Sequence, residues 1–278
     1  VIAGGAIVGG RLFTWGARGL DEWELPGLRR RRVAKGDYRA GCPFAGGLAL
    51  QDGADLVWRR GERVERIDTG AAAVDMVEAE LLGRRGLLVS HHGMQLRFYE
   101  RGTGGGRWPY REIYSFYTAS EQGGLLVRDV DGDGRADIIC GNYWVESPPE
   151  FELAWRLYAI NLFHEHPLSA SARLAWWKGR LLWLEAKRSP ARAVLFTPPP
   201  NVRELWIGEP VRIDPPLAYP RAVLDRGEEI WIGEDNGAAS RVVSFPSGQV
   251  VRSGEPVRAL LAWRERAVAA GPNGPALL

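Results

Sequence analysis

Cysteine is almost absent from this chain. Cys42 and Cys140 are its only two, too few for a disulfide scaffold. They fall in repeat units two apart, so no bond between them is expected. No CxxC or CxxCH occurs, which removes zinc ribbons and c-type haem. Lysine is scarce too, with only Lys35, Lys178 and Lys187 against a large excess of arginine. No apolar run approaches the roughly 20 residues of a membrane-spanning helix. No signal peptide is visible, and because the chain opens on Val1 the compartment stays open. There is no GxSxG nucleophile motif. The one glycine-rich run, "GTGGGR" (102–107), is not followed by a helical pattern, so it reads as a hairpin loop rather than a phosphate cradle.

What is present is ordinary for a globular protein: 45% hydrophobic and 25% charged residues, with a net charge of +2 over 278 residues. Charge is concentrated in two places. Arg29–Arg32 is a run of four arginines, read as a solvated loop between strands, and no nucleic-acid partner is expected from it. "DVDGDGRAD" (129–137) places four aspartates in nine residues.

The chain repeats. "AGGAIVGGRLFTW" (3–15) resembles "AGGLALQDGADLVW" (45–58), and "GLLVSHHGMQLRFYE" (86–100) has the same shape. "ADIICGNYW" (136–144), "GRLLWLEAK" (179–187), "EEIWIGEDNG" (228–237) and "RAVAAGPNG" (266–274) continue the series. The last core position of each short strand falls at Val8, Leu50, Val89, Ile139, Leu184, Ile232 and Ala269, roughly 40–50 residues apart. "WPYREI" (108–113) and "WRLYAI" (155–160) form a second marker. Runs of four to six residues rich in Val, Ile, Leu and Trp, punctuated by Gly, Pro and Asn, read as strands. Units of that length with several short strands are those of an all-β fold, a β-propeller. Seven blades are expected, with six as the alternative, in a single domain over 1–278. The first unit reads as lacking most of its inner strand and the last as stopping early, so the terminal blades are expected to be incomplete and the chain a piece of a longer one.

In "DVDGDGRAD", Asp129, Asp131, Asp133 and Asp137 supply carboxylates at loop positions 1, 3, 5 and 9, and Arg135 offers a backbone carbonyl at position 7. Ca²⁺ takes six to eight oxygens at about 2.3–2.6 Å, and alternating aspartates in a tight loop supply them. Position 12 is Cys140 rather than Glu, and "ADIIC" is strand-like, so this is not an EF-hand. The segment resembles the FG-GAP/VCBS propeller repeat, D-x-D-G-D-G-x-x-D followed by an apolar strand and Gly; Asp129 to Asp137, Ile138, Ile139 and Gly141 fit it. The resemblance is specific over 125–148. It implies a structural Ca²⁺ between the first and second strands of a blade, away from the ligand face. The corresponding turns at 81–86, 176–180 and 224–229 lack the carboxylates, so one Ca²⁺ site is expected.

Ligands are expected on the opposite face, where polar residues follow the second strand in six of the seven units. These are Gln51-Asp52, His91-His92, Asn142-Tyr143, Glu185 to Lys187, Glu234-Asp235-Asn236 and Asn273. Trp144 reads as a turn residue able to stack on a sugar. The long connection 160–171 brings His164, Glu165 and His166 to the same face, where His and carboxylate groups suit a second metal or proton transfer. Tyr114, Phe116, Tyr117, Ser120 and Glu121 lie in or near a similar connection. Two functions follow. One is a Ca²⁺-stabilised platform that binds a protein or glycan, extracellular because a weak Ca²⁺ site fills where Ca²⁺ is millimolar. The other is a carbohydrate-active lyase or dehydratase with a metal/His site at the channel mouth. Oligomeric state is left open.

Overall fold

A computed structural model describes residues 2–70, 72–91, 95–102, 106–115, 123–162 and 171–278. Within them the chain forms seven antiparallel sheets, each meandering outward in sequence order. Blade 1 is β1 (Ile2–Val8), β2 (Arg11–Gly16), β3 (Gly19–Glu24) and β4 (Arg29–Ala34). Blade 2 is β5 (Tyr38–Phe44), β6 (Gly47–Asp52), β7 (Asp55–Arg60) and β8 (Arg63–Asp68). Blade 3 is β9 (Ala73–Leu81), β10 (Arg84–His91), β11 (Gln95–Tyr99) and β12 (Tyr110–Ser115). Blade 4 is β13 (Leu125–Arg128), β14 (Asp137–Cys140), β15 (Tyr143–Glu146) and β16 (Arg156–Ala159). Blade 5 is β17 (Ala172–Trp177), β18 (Arg180–Glu185), β19 (Ala193–Thr197) and β20 (Ile207–Pro210). Blade 6 is β21 (Pro220–Asp225), β22 (Ile230–Glu234), β23 (Arg241–Phe245) and β24 (Val250–Ser253). Blade 7 has three strands, β25 (Ala259–Trp263), β26 (Arg266–Gly271) and β27 (Gly274–Leu277).

The first strands line the centre. Each packs on the first strand of the next blade, and β25 packs on β1, so the ring closes as a seven-bladed β-propeller. The expectation that the first unit lacks its inner strand is corrected. Residues 2–8 are that strand, and the second strand of blade 1 is β2. The Gly-rich approach to Trp misaligned the unit by one strand: "AGGAIV" lies first in its blade, whereas "AGGLALQD" is the turn after a first strand and the second strand itself. Gly4 has a packing reason in this inner position, since a Cβ there would meet the Trp15 indole at 2.8 Å.

Second strands are buried almost end to end, for example Leu87, Leu88 and Val89 in β10 and Leu181 to Glu185 in β18. A strand covered on both faces reads as a continuous apolar run, which is why these segments stood out. The outer strands are wet, and in β4 all four arginines are exposed. The loop reading of Arg29–Arg32 is therefore corrected to an outer strand. β4 pairs with the acidic β3; Arg30 and Arg32 bond Asp21, while Arg31 and Arg11 bond Glu22. Cross-strand charge pairing replaces apolar patterning where there is no core to face. The tryptophan marker also has a physical basis. Trp108, Trp155 and Trp206 are buried just before the fourth strands of blades 3, 4 and 5. The backbone N–H of Trp108 donates to Ile67 O and that of Trp206 to Ile160 O, both at 3.0 Å, tying each blade to the one before. Both cysteines are buried thiols outside any disulfide.

Candidate functional site

The acidic loop joins β13 to β14, the first-to-second connection of blade 4. Gly132 (φ 79°) and Gly134 (φ 86°) hold the left-handed conformations that fold the loop back on itself. Asp129 accepts from the N–H of Gly132 at 2.7 Å and of Gly134 at 2.9 Å. Asp137 accepts from Val130 at 3.0 Å and from Ser147 at 2.7 Å. These bonds orient the carboxylates and leave each oxygen a further lone pair. Asp129, Asp131 and Asp137 each bring an oxygen within 4.8 Å of the others. Oxygens on opposite sides of one bound metal ion lie roughly this far apart, so the trio is spaced to hold a metal ion. Asp133 is not in the trio; its carboxylate pairs with the Arg135 guanidinium, which also reaches Ser147 O at 3.3 Å. Burial, with a smaller contribution from Asp131 and Asp133, pushes the Asp137 carboxyl up to about 6. Arg203, from the segment before β20, stands 3.3 Å from Asp131 and also pairs with Glu146, so blade 5 braces the loop.

The opposite face is built differently from the sequence expectation. Asp52, His91, Glu185 and Glu234 do share one ladder position, each opposite the first residue of the inner strand: Tyr38, Ala73, Ala172 and Pro220. However, His91, Asn142, Glu185 and Glu234 are buried, none more than 4% exposed. They fasten the incoming connections instead of lining an open pocket. Glu234 accepts from the N–H of Ala218 at 2.8 Å and takes two bonds from Arg241, each at 2.8 Å. Asp52 accepts from the N–H of Asp37 at 3.3 Å. Gln51 donates to Gly53 O and accepts from the N–H of Ala73, both at 2.9 Å, linking blades 2 and 3. Asn142 accepts from Asn161 at 3.1 Å. Glu185 lies 3.7 Å from Arg188.

His91 begins a buried relay. Its Nε2 and the Tyr99 hydroxyl are 2.9 Å apart, and that hydroxyl donates to Asp68 at 2.9 Å. Since the phenol proton goes to Asp68, Nε2 is the protonated nitrogen of His91. Burial, reinforced by Arg97 and opposed by Asp68, lowers the imidazole to about 4. This is a neutral, structural histidine. Trp144 is also corrected: it lies within β15, has no exposed surface, and stacks on Tyr158 with centroids 5.0 Å apart. Buried on all sides, it has no face for a sugar. Tyr143 is half-buried, Asp235 pairs with Arg258 at 2.8 Å, and Asn236 is exposed. His92, His164, Glu165 and His166, with Phe116, Tyr117, Ser120 and Glu121, lie outside the described residues.

A cavity of about 310 Å³ opens at the same face, where inner strands begin. Its walls come from six blades and include Arg39, Arg173, Arg221 and Arg258, with Asp75 as the acid. The sequence reading does not single out these arginines, yet a signal exists. "YRAG" (38–41), "ARLA" (172–175), "PRAV" (220–223) and "VRAL" (257–260) repeat Arg at the start of inner strands. The repeat is obscured because the apolar second strands dominate the pattern and inner strands carry bulges. Arg39 and Arg221 sit at such register shifts, and bulges redirect side chains.

No family model matches the chain, and no curated protein matches it. Solved structures do. YCF48 from Cyanidioschyzon merolae is 13% identical with a TM-score of 0.63, over 100% of this chain and 94% of that one. The extracellular domain of a B. thetaiotaomicron protein assigned as a one component system is 10% identical with a TM-score of 0.63, over 100% of this chain and 38% of that one. The AfRom2 CNH domain is 11% identical with a TM-score of 0.55, over 97% and 90%. At such identities the likeness concerns the fold alone.

Proposed function

We propose that this chain is a binding platform of the FG-GAP/VCBS propeller type, with one Ca²⁺ clamping blade 4 and a protein or glycan taken on the opposite face. The observation that carries this reading is the cavity at the channel mouth, walled by inner strands of six blades. Around it the buried polar ends of the second strands lock the connections in place, which gives a preorganised concave surface. The Ca²⁺ loop is on the other face, between first and second strands, and its role is to hold the fold. Asp129, Asp131 and Asp137 would hold the cation, which supplies the positive charge that offsets three converging carboxylates. A site of this kind fills where Ca²⁺ is millimolar, so an extracellular setting belongs to the proposal. An extracellular domain among the solved structures with this fold supports such a setting.

The test is a printed glycan array together with a panel of immobilised extracellular proteins, probed with the chain and with Ala40→Trp. Ala40 lines the cavity, so the indole fills the mouth. The expected result is saturable binding to at least one glycan or protein, abolished by Ala40→Trp while the melting temperature stays within a few degrees. Binding that ignores the filled mouth overturns the platform reading. Release of altered glycan products, seen by mass spectrometry, replaces it with the enzyme reading.

A further inference from the structure

Among the described residues the charges at the channel mouth do not cancel. Arg39 bonds Asp37 through Nε at 3.0 Å and Nη2 at 2.9 Å. Arg258 bonds Asp235 at 2.8 Å and Ile2 O at 3.0 Å. Asp75 is engaged by backbone: Oδ2 accepts from Gly124 at 2.9 Å and Leu125 at 3.2 Å, and Oδ1 from Met76 at 2.9 Å. Arg173 and Arg221 are different. Arg173 donates to two backbone carbonyls, Arg221 O at 2.7 Å and Ala172 O at 3.0 Å, and no carboxylate of the described residues pairs with it. The Arg221 guanidinium donates to no group among the described residues and pairs with no carboxylate there. It is half-buried. Burial lowers its pKa, Arg173 and Arg258 lower it further, and Asp235 opposes them.

Two guanidinium groups held together in a half-enclosed cavity with no carboxylate partner among the described residues cost stability. A folded chain keeps such a pair at little cost only where an anion completes it. The guanidinium fork matches carboxylate and phosphate oxygens, and its weak hydration makes it suited to a partly dry site. Beside the arginines, Trp15, Val223 and Leu261 give the same cavity an apolar wall. At about 310 Å³ it is at the small end of ligand cavities.

We infer that the channel mouth binds a small oxyanion ligand, a carboxylate or phosphate carried on a body of about monosaccharide size, with Arg173 and Arg221 taking the anionic group. This rests on reading the mouth as the ligand site, and it names the chemistry recognised there. The anionic group sits in the gap between blades 5 and 6, and the body lies against the apolar wall from blades 1, 6 and 7. A macromolecular ligand would present such a group at its tip, as a uronic acid or phosphorylated sugar does.

The test is isothermal titration calorimetry with inorganic phosphate and, separately, glucuronate, at ionic strength fixed with sodium chloride. Wild type is compared with Arg221→Gln, Arg173→Gln and Arg226→Gln, the last an equal charge change on the opposite face. The expected result is saturable binding of at least one anion, weakened at least tenfold by Arg221→Gln and Arg173→Gln and less than twofold by Arg226→Gln. Response to phosphate alone or glucuronate alone identifies the source. Arg221→Gln is expected to melt no lower than wild type, because it removes a cation with no carboxylate partner among the described residues. Absence of saturable heat with both anions overturns the inference, as does equal weakening by Arg226→Gln. An array ligand that binds wild type and Arg221→Gln alike overturns the anion site and leaves the platform. A blank array with saturable phosphate or glucuronate binding does the reverse.

Discussion

Replacing His91 with Gln removes a buried imidazole from the seam between blades 2 and 3 and isolates its pH dependence. In the folded chain the imidazole titrates near 4 rather than 6.5, because burial and Arg97 outweigh Asp68. Between those values the unfolded chain holds a proton that the folded chain does not. Stability from this group is therefore complete above pH 6.5 and is lost as pH falls toward 4. At 1.36 kcal/mol per unit the loss is about 3 kcal/mol, with a limiting slope near one proton. The geometry agrees: Nε2–H already donates to the Tyr99 hydroxyl, which donates to Asp68, so a second ring proton, on Nδ1, gains nothing from that relay. Gln keeps an N–H for Tyr99 but does not titrate. The assay is urea unfolding of wild type and His91→Gln at half-unit steps from pH 4 to 8. The His91→Gln chain is expected to be less stable at pH 8 through imperfect packing, and its acid limb should be shallower by about one proton between pH 4.5 and 6.5. Parallel acid limbs would refute the assignment of His91 as a buried neutral link, since other titrating groups are common to both chains.

The Ca²⁺ assignment is checked by melting in chelator and in 5 mM CaCl₂. For a dissociation constant of about 0.1 mM the cation adds about 2 kcal/mol, or about 3–4 °C in melting temperature. Asp129→Asn should abolish the difference, and an unchanged wild-type curve would remove Ca²⁺ from the proposal. In chelator the Asp137 carboxyl, raised to about 6 by burial, reverses the usual acid trend. Folding then takes up a proton, so that contribution is full below the ordinary value of 3.8 and is lost as pH rises through 6. Glu234→Ala strips Arg241 of its buried partner and leaves the Ala218 N–H without an acceptor. A loss of about 3–5 kcal/mol is expected by chemical denaturation, and a loss under 1 kcal/mol would show that the clip is dispensable.

Much of the fold was legible because second strands are buried on both faces. Leu48 to Leu50, Leu87 to Val89 and Ile230 to Ile232 are short apolar runs at blade intervals, and burial on both faces leaves few other residue choices. The acidic loop was legible because its ligand pattern is local: four aspartates and two glycines in nine residues set the turn and the oxygens together. Blade phase at the N-terminus was not, since a Gly pair before an apolar run serves an inner strand at Gly4 and a turn at Gly46 alike. Nor was the role of Asp133, which depends on where the Arg135 side chain settles.

The sequence by itself determined an all-β repeat protein with short strands, read as runs of four to six residues, a blade period, and one loop able to gather oxygen ligands, because these rest on contacts between near neighbours. Only the tertiary structure decided which polar residues are buried and which are open. His91, Asn142, Glu185 and Glu234 look like surface polar residues in the sequence, but closure of the ring turns them onto the connections beside them. Arg173, Arg221 and Arg258 look like solvated charges, but closure brings inner strands far apart in the chain around one cavity. Charge at a channel mouth is a sum over blades, and no local stretch of sequence contains it.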